Sequence, residues 1–307
     1  MTSFVLRRLM SAVPTIFIVV TISFFLMRFA PGGPFNLERP LPPQTMANIM
    51  ATYKLDQPLI SQYLSYIGNA VTGDLGPSFI YKDNTVSELI GKALPYSIQL
   101  GGIAILVALI GGVLLGTVAA LRQNSTIDFA VMSFATIGVT IPNFVVGPVL
   151  TLLFAVILNW LPAGSWGDGS LRYLILPVTA LALPQLAVFA RLTRGAMIEA
   201  LHTDHIRTAR AYGLPSRVVV VTHAMRGAML PIVSYLAPCA AALLTGSAVV
   251  ETIFTIPGVG RYFVLGALNR DYPLVMGTVI LVAVFVIVFN LLVDIAYGLL
   301  DPRVRND

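Results

Sequence analysis

The sequence predicts an all-α polytopic membrane protein with six transmembrane helices. Three observations carry this. Hydrophobic residues make up 57% of the 307 residues, and the mean hydropathy of +0.85 lies far outside the range of soluble domains. Charged residues are scarce, at 11%. The apolar residues also fall in runs of about 20, the length that crosses a hydrocarbon core about 30 Å thick.

Six runs qualify: Leu9–Phe29, Ile98–Leu121, Phe129–Leu158, Tyr173–Leu192, Met229–Ile253 and Leu274–Leu300. The first follows Arg7 and Arg8, as a secretory signal would. Its apolar run is too long for an h-region and Ala30-Pro31-Gly32-Gly33 is a poor cleavage site, so a retained span is expected. Arg28 ends this span and is expected to snorkel to the outer surface. The second run holds Gly112 and Gly116, spaced so that two helix backbones can touch. Ordinary packing within the bundle and the lining of a solute path both suit that spacing.

The third run is too long for one straight helix, and Pro142 and Pro148 offer places to kink or end it. The fifth contains APCAAALLTGSAVV, small on nearly every side, and closes at Glu251, which is expected at the interface. The sixth carries Asp294 deep in NLLVDIAYGLLDP. Ionisable residues inside apolar spans are functional candidates. Asp294 could sense protons or polar substrate, and a hydrogen bond within the bundle is the simpler expectation.

Orientation follows from the Lys and Arg residues near helix ends. Six spans put both termini on one side, together with Arg7, Arg8, Arg122, the arginines between 191 and 226, Arg303 and Arg305. Both termini are therefore expected in the cytoplasm, with the chain in the inner (plasma) membrane. The expected organisation is an N-terminal span in 1–30, an extracytoplasmic segment in 31–97, a transmembrane core in 98–300 and a cytoplasmic tail in 301–307. The outer segment opens with PGGPFNLERPLPP, which cannot be helical, and an amphipathic pattern over Gln44–Ala70 predicts one or two short helices.

Motifs for chemistry are missing from the sequence. Gly91-Lys92 lacks the upstream glycine and the following Ser or Thr of a P-loop. His202-Thr203-Asp204-His205 is not His-Glu-x-x-His and has no third ligand, so no metal site is expected. No Gly-x-Ser-x-Gly elbow occurs. The lone cysteine, Cys239, reads as a packing residue. Catalytic residues, metals and cofactors are not expected in this chain.

One polar insert stands apart. Arg191, Arg194, Arg207, Arg210, Arg217 and Arg226 fall within 36 positions, against Glu199 and Asp204. From Thr203 a short helix is predicted that stops at Gly213, a residue free to take the left-handed conformation of a helix end. Pro215 opens a second helix over Ser216–Ala228. Arg207 and Arg210 share a face and suit acids or phosphate-bearing lipid. Small residues at the centre (Ala209, Ala211, Gly213) favour a protein groove instead.

The insert ARAYGLPSRVVVVTHAMRGAMLP resembles the EAA loop of ABC importer permeases, in the form used by the peptide/nickel transport family. LRRLMSAVPTIFIVVTISFFLMRFAPGGPF, GDLGPSF at 73–79, ETIFTIPGVGRYF at 251–263, ALNRDYPLV at 267–275 and DPR at 301–303 agree with it, in order, along nearly the whole chain. One departure is plain: Arg207 and Thr208 stand where the general motif has Glu-Ala.

The resemblance implies a type I ABC importer (MetI-like) permease fold. It implies that the loop, 193–228, carries a coupling helix seated in a cleft of an ATPase subunit, through Arg207, Thr208, Ala209, Arg210, Ala211, Tyr212, Gly213, Leu214 and Pro215. It further implies a homologous second permease, two cytoplasmic ATPase subunits that bind ATP and Mg, and an extracytoplasmic peptide-binding protein. Membrane lipid surrounds the complex, and nucleic acid is not an expected partner. The implied function is the permease half of a peptide importer. The same architecture carrying nickel or another small solute, or a proton-coupled carrier using Asp294, are the alternatives.

Overall fold

The structure is a computed structural model that describes residues 2–29, 50, 55–81 and 83–300, with backbone alone at 2–9, 245–246 and 297–300. Most of the expected helix start at 44–54, the tail 301–307 and its Arg303 and Arg305 lie outside the described residues. The regular structure described is α1 (Thr2–Phe29), α2 (Leu59–Val71), α3 (Val86–Leu121), α4 (Thr126–Thr140), α5 (Asn143–Ile157), α6 (Leu171–Leu201), α7 (Asp204–Ala211), α8 (Ser216–Ile253), α9 (Val259–Leu268) and α10 (Tyr272–Leu300). The fold is all-α and polytopic. Among the described residues α1, α3, α6, α8 and α10 are each long and apolar enough to cross a membrane, and α4 with α5 makes a sixth span if the bent pair counts as one.

That bend measures 106°. Pro142 causes it: the ring excludes helical backbone at the preceding residue, and Ile141 accordingly sits at φ −85°, ψ 121°. Pro148, the other expected break, lies inside the helix without ending it. Three boundaries also differ from expectation. Helix α3 begins at Val86 rather than Ile98, because Val86, Leu89 and Ile90 bury one face against Leu274. Helix α6 runs on to Leu201, past Leu192, because Thr193, Met197 and Ala200 keep a buried stripe after the span turns polar. The separate surface helix expected over Ser216–Ala228 is instead the first part of α8, continuous with the fifth span, with a π-helical stretch at Val219–Ala224.

The chain divides into two compact units, Ile98–Ile256 with Val286–Asp307, and Thr2–Ser97 with Pro257–Phe285. In the larger unit α6 is the hub on which α4, α5 and α8 pack. Phe189 of α6 meets Tyr235 edge to face at 5.3 Å, and the Tyr235 hydroxyl donates to Gln185 Oε1 at 2.9 Å. Glu251, near the end of α8, is fully buried within the chain. The chain folds back just beyond it, with Ile256 N–H donating to the Glu251 carbonyl at 2.8 Å, and Phe254 and Ile256 are fully buried as well.

In the smaller unit the carboxylate of Asp271 is the tie. It accepts from the Ser78 hydroxyl, from Phe79 N–H at 3.1 Å and Ile80 N–H at 3.3 Å. It also accepts from Leu274 N–H at 3.3 Å, which caps the start of α10. Asp271 and Ser78 are both fully buried. Asp271→Ala removes the acceptor shared by three backbone N–H groups and the Ser78 hydroxyl, so it is expected to destabilise this unit by about 2–3 kcal/mol. Accelerated proteolysis between residues 72 and 85 in the purified chain would check it, with unchanged protection counting against the tie.

Candidate functional site

The insert is built as an anchored hairpin. Its short helix, α7, is amphipathic at the smallest scale: Ile206 is fully buried and Ala209 nearly so. Both join a cluster with Ala120, Met197, Ala200, Val219, Ala224 and Ala228. Ala209 thus differs from its expected place at a partner groove. Its methyl packs into its own chain, one helical turn from Ile206.

The other face and the apex point outward. Arg207, Thr208, Arg210, Ala211, Tyr212, Gly213, Leu214 and Pro215 are all exposed, Tyr212 at 83%. Arg207 reaches Asp204 at 3.2 Å, but both side chains are solvated, so the pair adds little stability. Thr208 Oγ1 donates to the Asp204 carbonyl at 3.0 Å. The helix ends in a Schellman arrangement, with Gly213 N–H donating to Arg210 O at 2.9 Å and Leu214 N–H to Ala209 O at 3.3 Å. Gly213 sits at φ +75°, and Pro215 follows as the N-cap of α8.

Below the hairpin, α6 is gripped by glycines. A Cβ on Gly112 would overlap Phe189 Cβ and come within 2.8 Å of the Leu186 carbonyl oxygen. One on Gly116 would overlap the Ala190 carbonyl oxygen and lie 2.6 Å from Thr193 Cβ. The structure therefore places both on α6, the helix that leads directly into the hairpin. Asp294 is half-buried in α10, next to Val293, which packs with Val233 and Ala237.

An ion pair that sequence reasoning missed locks the same helix. Arg194 Nε and Nη2 reach the two oxygens of Asp128 at 2.5 and 2.6 Å. Asn124 N–H donates to the same carboxylate at 2.9 Å, and Asp128 is buried at the start of α4. The available signal was local: Ser125-x-x-Asp128 ahead of an apolar run is a helix start, and Ser125 does cap α4. Nothing in the sequence paired that aspartate with Arg194. Removing one partner leaves a mostly buried charge unpaired, so Asp128→Ala is expected to cost about 2–3 kcal/mol. A lower melting temperature of the purified chain would report it. The Asp128→Ala/Arg194→Ala double variant should recover part of the loss, and no recovery would argue against direct pairing.

The comparisons with known proteins agree with this architecture. Residues 112–306 match the family described as binding-protein-dependent transport system inner membrane component, and residues 1–101 match its membrane component N-terminal family. The chain belongs to this family, the permease subunits of ABC importers. Along its length it is 52% identical over 305 residues to the oligopeptide transport system permease protein OppB of Salmonella typhimurium, covering 99% of this chain and 100% of the relative. The OppB of Haemophilus influenzae is 51% identical over the same shares. The dipeptide transport system permease protein DppB of Bacillus subtilis is 43% identical over 99% of this chain and 98% of the relative.

Proposed function

We propose that this chain forms half of the translocation path of an ATP-driven importer of oligopeptides or dipeptides. Its partners are a homologous permease, two cytoplasmic ATPase subunits that carry ATP and Mg, and an extracytoplasmic peptide-binding protein. Both termini face the cytoplasm, as does the hairpin. The observation that carries the coupling role is the division of labour in α7. Ile206 and Ala209 anchor it to α6 and α8, while Tyr212 and its neighbours present an exposed apex on a defined turn. A rigidly held apex transmits displacement. Ligand-loaded receptor and nucleotide must each favour particular states of the complex for transport to be coupled.

Uptake of peptide into proteoliposomes holding the whole complex tests this reading, with ATP or a proton gradient as the sole energy source. Uptake is expected with ATP alone. Asp294→Asn is expected to leave ATP-driven uptake largely intact from pH 6 to pH 8, as a residue that only bonds within the bundle would. Uptake driven by the proton gradient, and lost in Asp294→Asn, would overturn it.

A further inference from the structure

The smaller unit contains a cavity of about 240 Å³ lined by Phe24, Arg28, Gln62, Tyr66, Asn69 and Tyr272, among others. Its walls are held firmly. Phe24 of α1 packs on Tyr63 of α2 at 5.4 Å, and the Thr21 and Tyr63 hydroxyls share a hydrogen bond of 2.7 Å. Arg28 folds back along its own helix. Its guanidinium lies over the Phe24 ring at 5.5 Å, half-buried and in no ion pair with an acid among the described residues.

Two further lining groups lack partners among the described residues. Gln62 spends its Nε2 on the carbonyls of Gln57 at 2.7 Å and Leu55 at 3.2 Å. Its Oε1 is buried and accepts nothing, and the Tyr66 hydroxyl is likewise buried and unpartnered. Buried polar atoms are rarely left unpaired. Burial pushes the Tyr66 phenol above its ordinary range, so it remains an O–H donor. The cavity thus offers a planar cation, a hydroxyl donor and a carbonyl acceptor, with the Asp74 carboxylate, which accepts from Gly76 N–H at 2.9 Å, and the Gln57 and Asn69 side chains also in its lining.

We propose that this cavity binds the headgroup of a single phospholipid, its phosphate held by Arg28 and Tyr66. A guanidinium matches a phosphodiester through two parallel N–H bonds. Position separates a lipid from a soluble anion. Arg28 stands at the end of the apolar span Met10–Phe29, at the edge of the hydrocarbon. Ile18, Ile22, Leu26 and Phe29 of the same helix are exposed, apolar surface against which an acyl chain can lie and which a free carboxylate or phosphate would not use. Gln62 Oε1 is an acceptor left open, so the headgroup is one that donates, an ethanolamine or a glycerol. A choline has no N–H to give. The proposal is independent of the cargo.

The test is native mass spectrometry of the full purified chain, titrated with phosphatidylethanolamine, phosphatidylcholine or diacylglycerol of matched acyl chains. One phosphatidylethanolamine is expected to bind tightly, phosphatidylcholine more weakly and diacylglycerol not at all. Arg28→Gln is expected to weaken binding about tenfold or more, and Tyr66→Phe, which keeps the ring, by about three- to tenfold. Inorganic phosphate and trialanine should not displace the lipid. Diacylglycerol bound as tightly as phospholipid, or displacement by trialanine, would overturn the proposal. So would unchanged affinity in Tyr66→Phe, a variant that decides the matter even if Arg28→Gln fails to fold.

Discussion

Gly213→Val is expected to leave the chain in the membrane at normal levels while abolishing transport. Nothing lies within 4 Å of a Cβ built at Gly213, so the substitution causes no clash. The effect is conformational. At φ +75° a β-branched residue is strained by roughly 1–2 kcal/mol or more. The turn relieves that strain by giving up the Schellman bonds, while Ile206 stays pinned in the core beneath. Tyr212 and Leu214 are then re-aimed together. Loss of fit at the centre of an interface costs about 2 kcal/mol or more, so ATPase attachment should weaken or hydrolysis should uncouple. Gly213→Asn, which tolerates the left-handed region, should do less harm. Arg207→Ala and Arg210→Ala should mainly alter association rate and salt dependence. The readout is bound ATPase, hydrolysis and uptake measured together on each purified complex, and a Gly213→Val complex with normal uptake would refute the role of the turn.

Gly116→Leu is expected to act earlier, on folding itself. Its Cβ would overlap the Ala190 carbonyl oxygen and press on Thr193 Cβ at 2.6 Å and Arg194 N at 3.0 Å. Two of those neighbours are backbone and have no rotamer to yield. Helix α3 must separate from α6, at about 3 kcal/mol or more, and the coupling between Arg194 and Asp128 lies in the path of the shift. Loss of accumulated protein is expected in membrane fractions. Gly195→Ala is the matched control on α6, since its Cβ would meet nothing within 4 Å, and it should be neutral or slightly stabilising. Equal losses in the two variants would show that the effect is not close packing.

What was legible in the sequence was local. The six apolar runs, the turn at Gly213 and the Gly112/Gly116 spacing each depend on residues within a few positions of one another. Inward-facing Ala209 also had a local signal, because it lies three residues after Ile206, the sole large aliphatic residue in α7. That signal was outweighed by the small size of alanine, which suits a groove and a core equally. What was not legible is long-range. Asp271 and Ser78 sit in two stretches, ALNRDYPLV and GDLGPSF, that each matched the family, yet neither predicts that one carboxylate joins them. Pro142 and Pro148 are equivalent breakers by composition. Which one turns the chain depends on how α4 and α5 each settle on α6.

The central claim is that the apex of the hairpin is the surface that meets an ATPase. Site-directed cysteine crosslinking tests it most directly, because the natural Cys239 is fully buried and leaves a quiet background. In the intact complex, Tyr212→Cys is expected to crosslink to an ATPase subunit with a short bifunctional maleimide, and to be shielded from a water-soluble maleimide until the ATPases are stripped away. Ala209→Cys, facing the chain's own core, should do neither. A cysteine at 212 labelled equally with and without the ATPases, and joined to neither of them, would contradict the account.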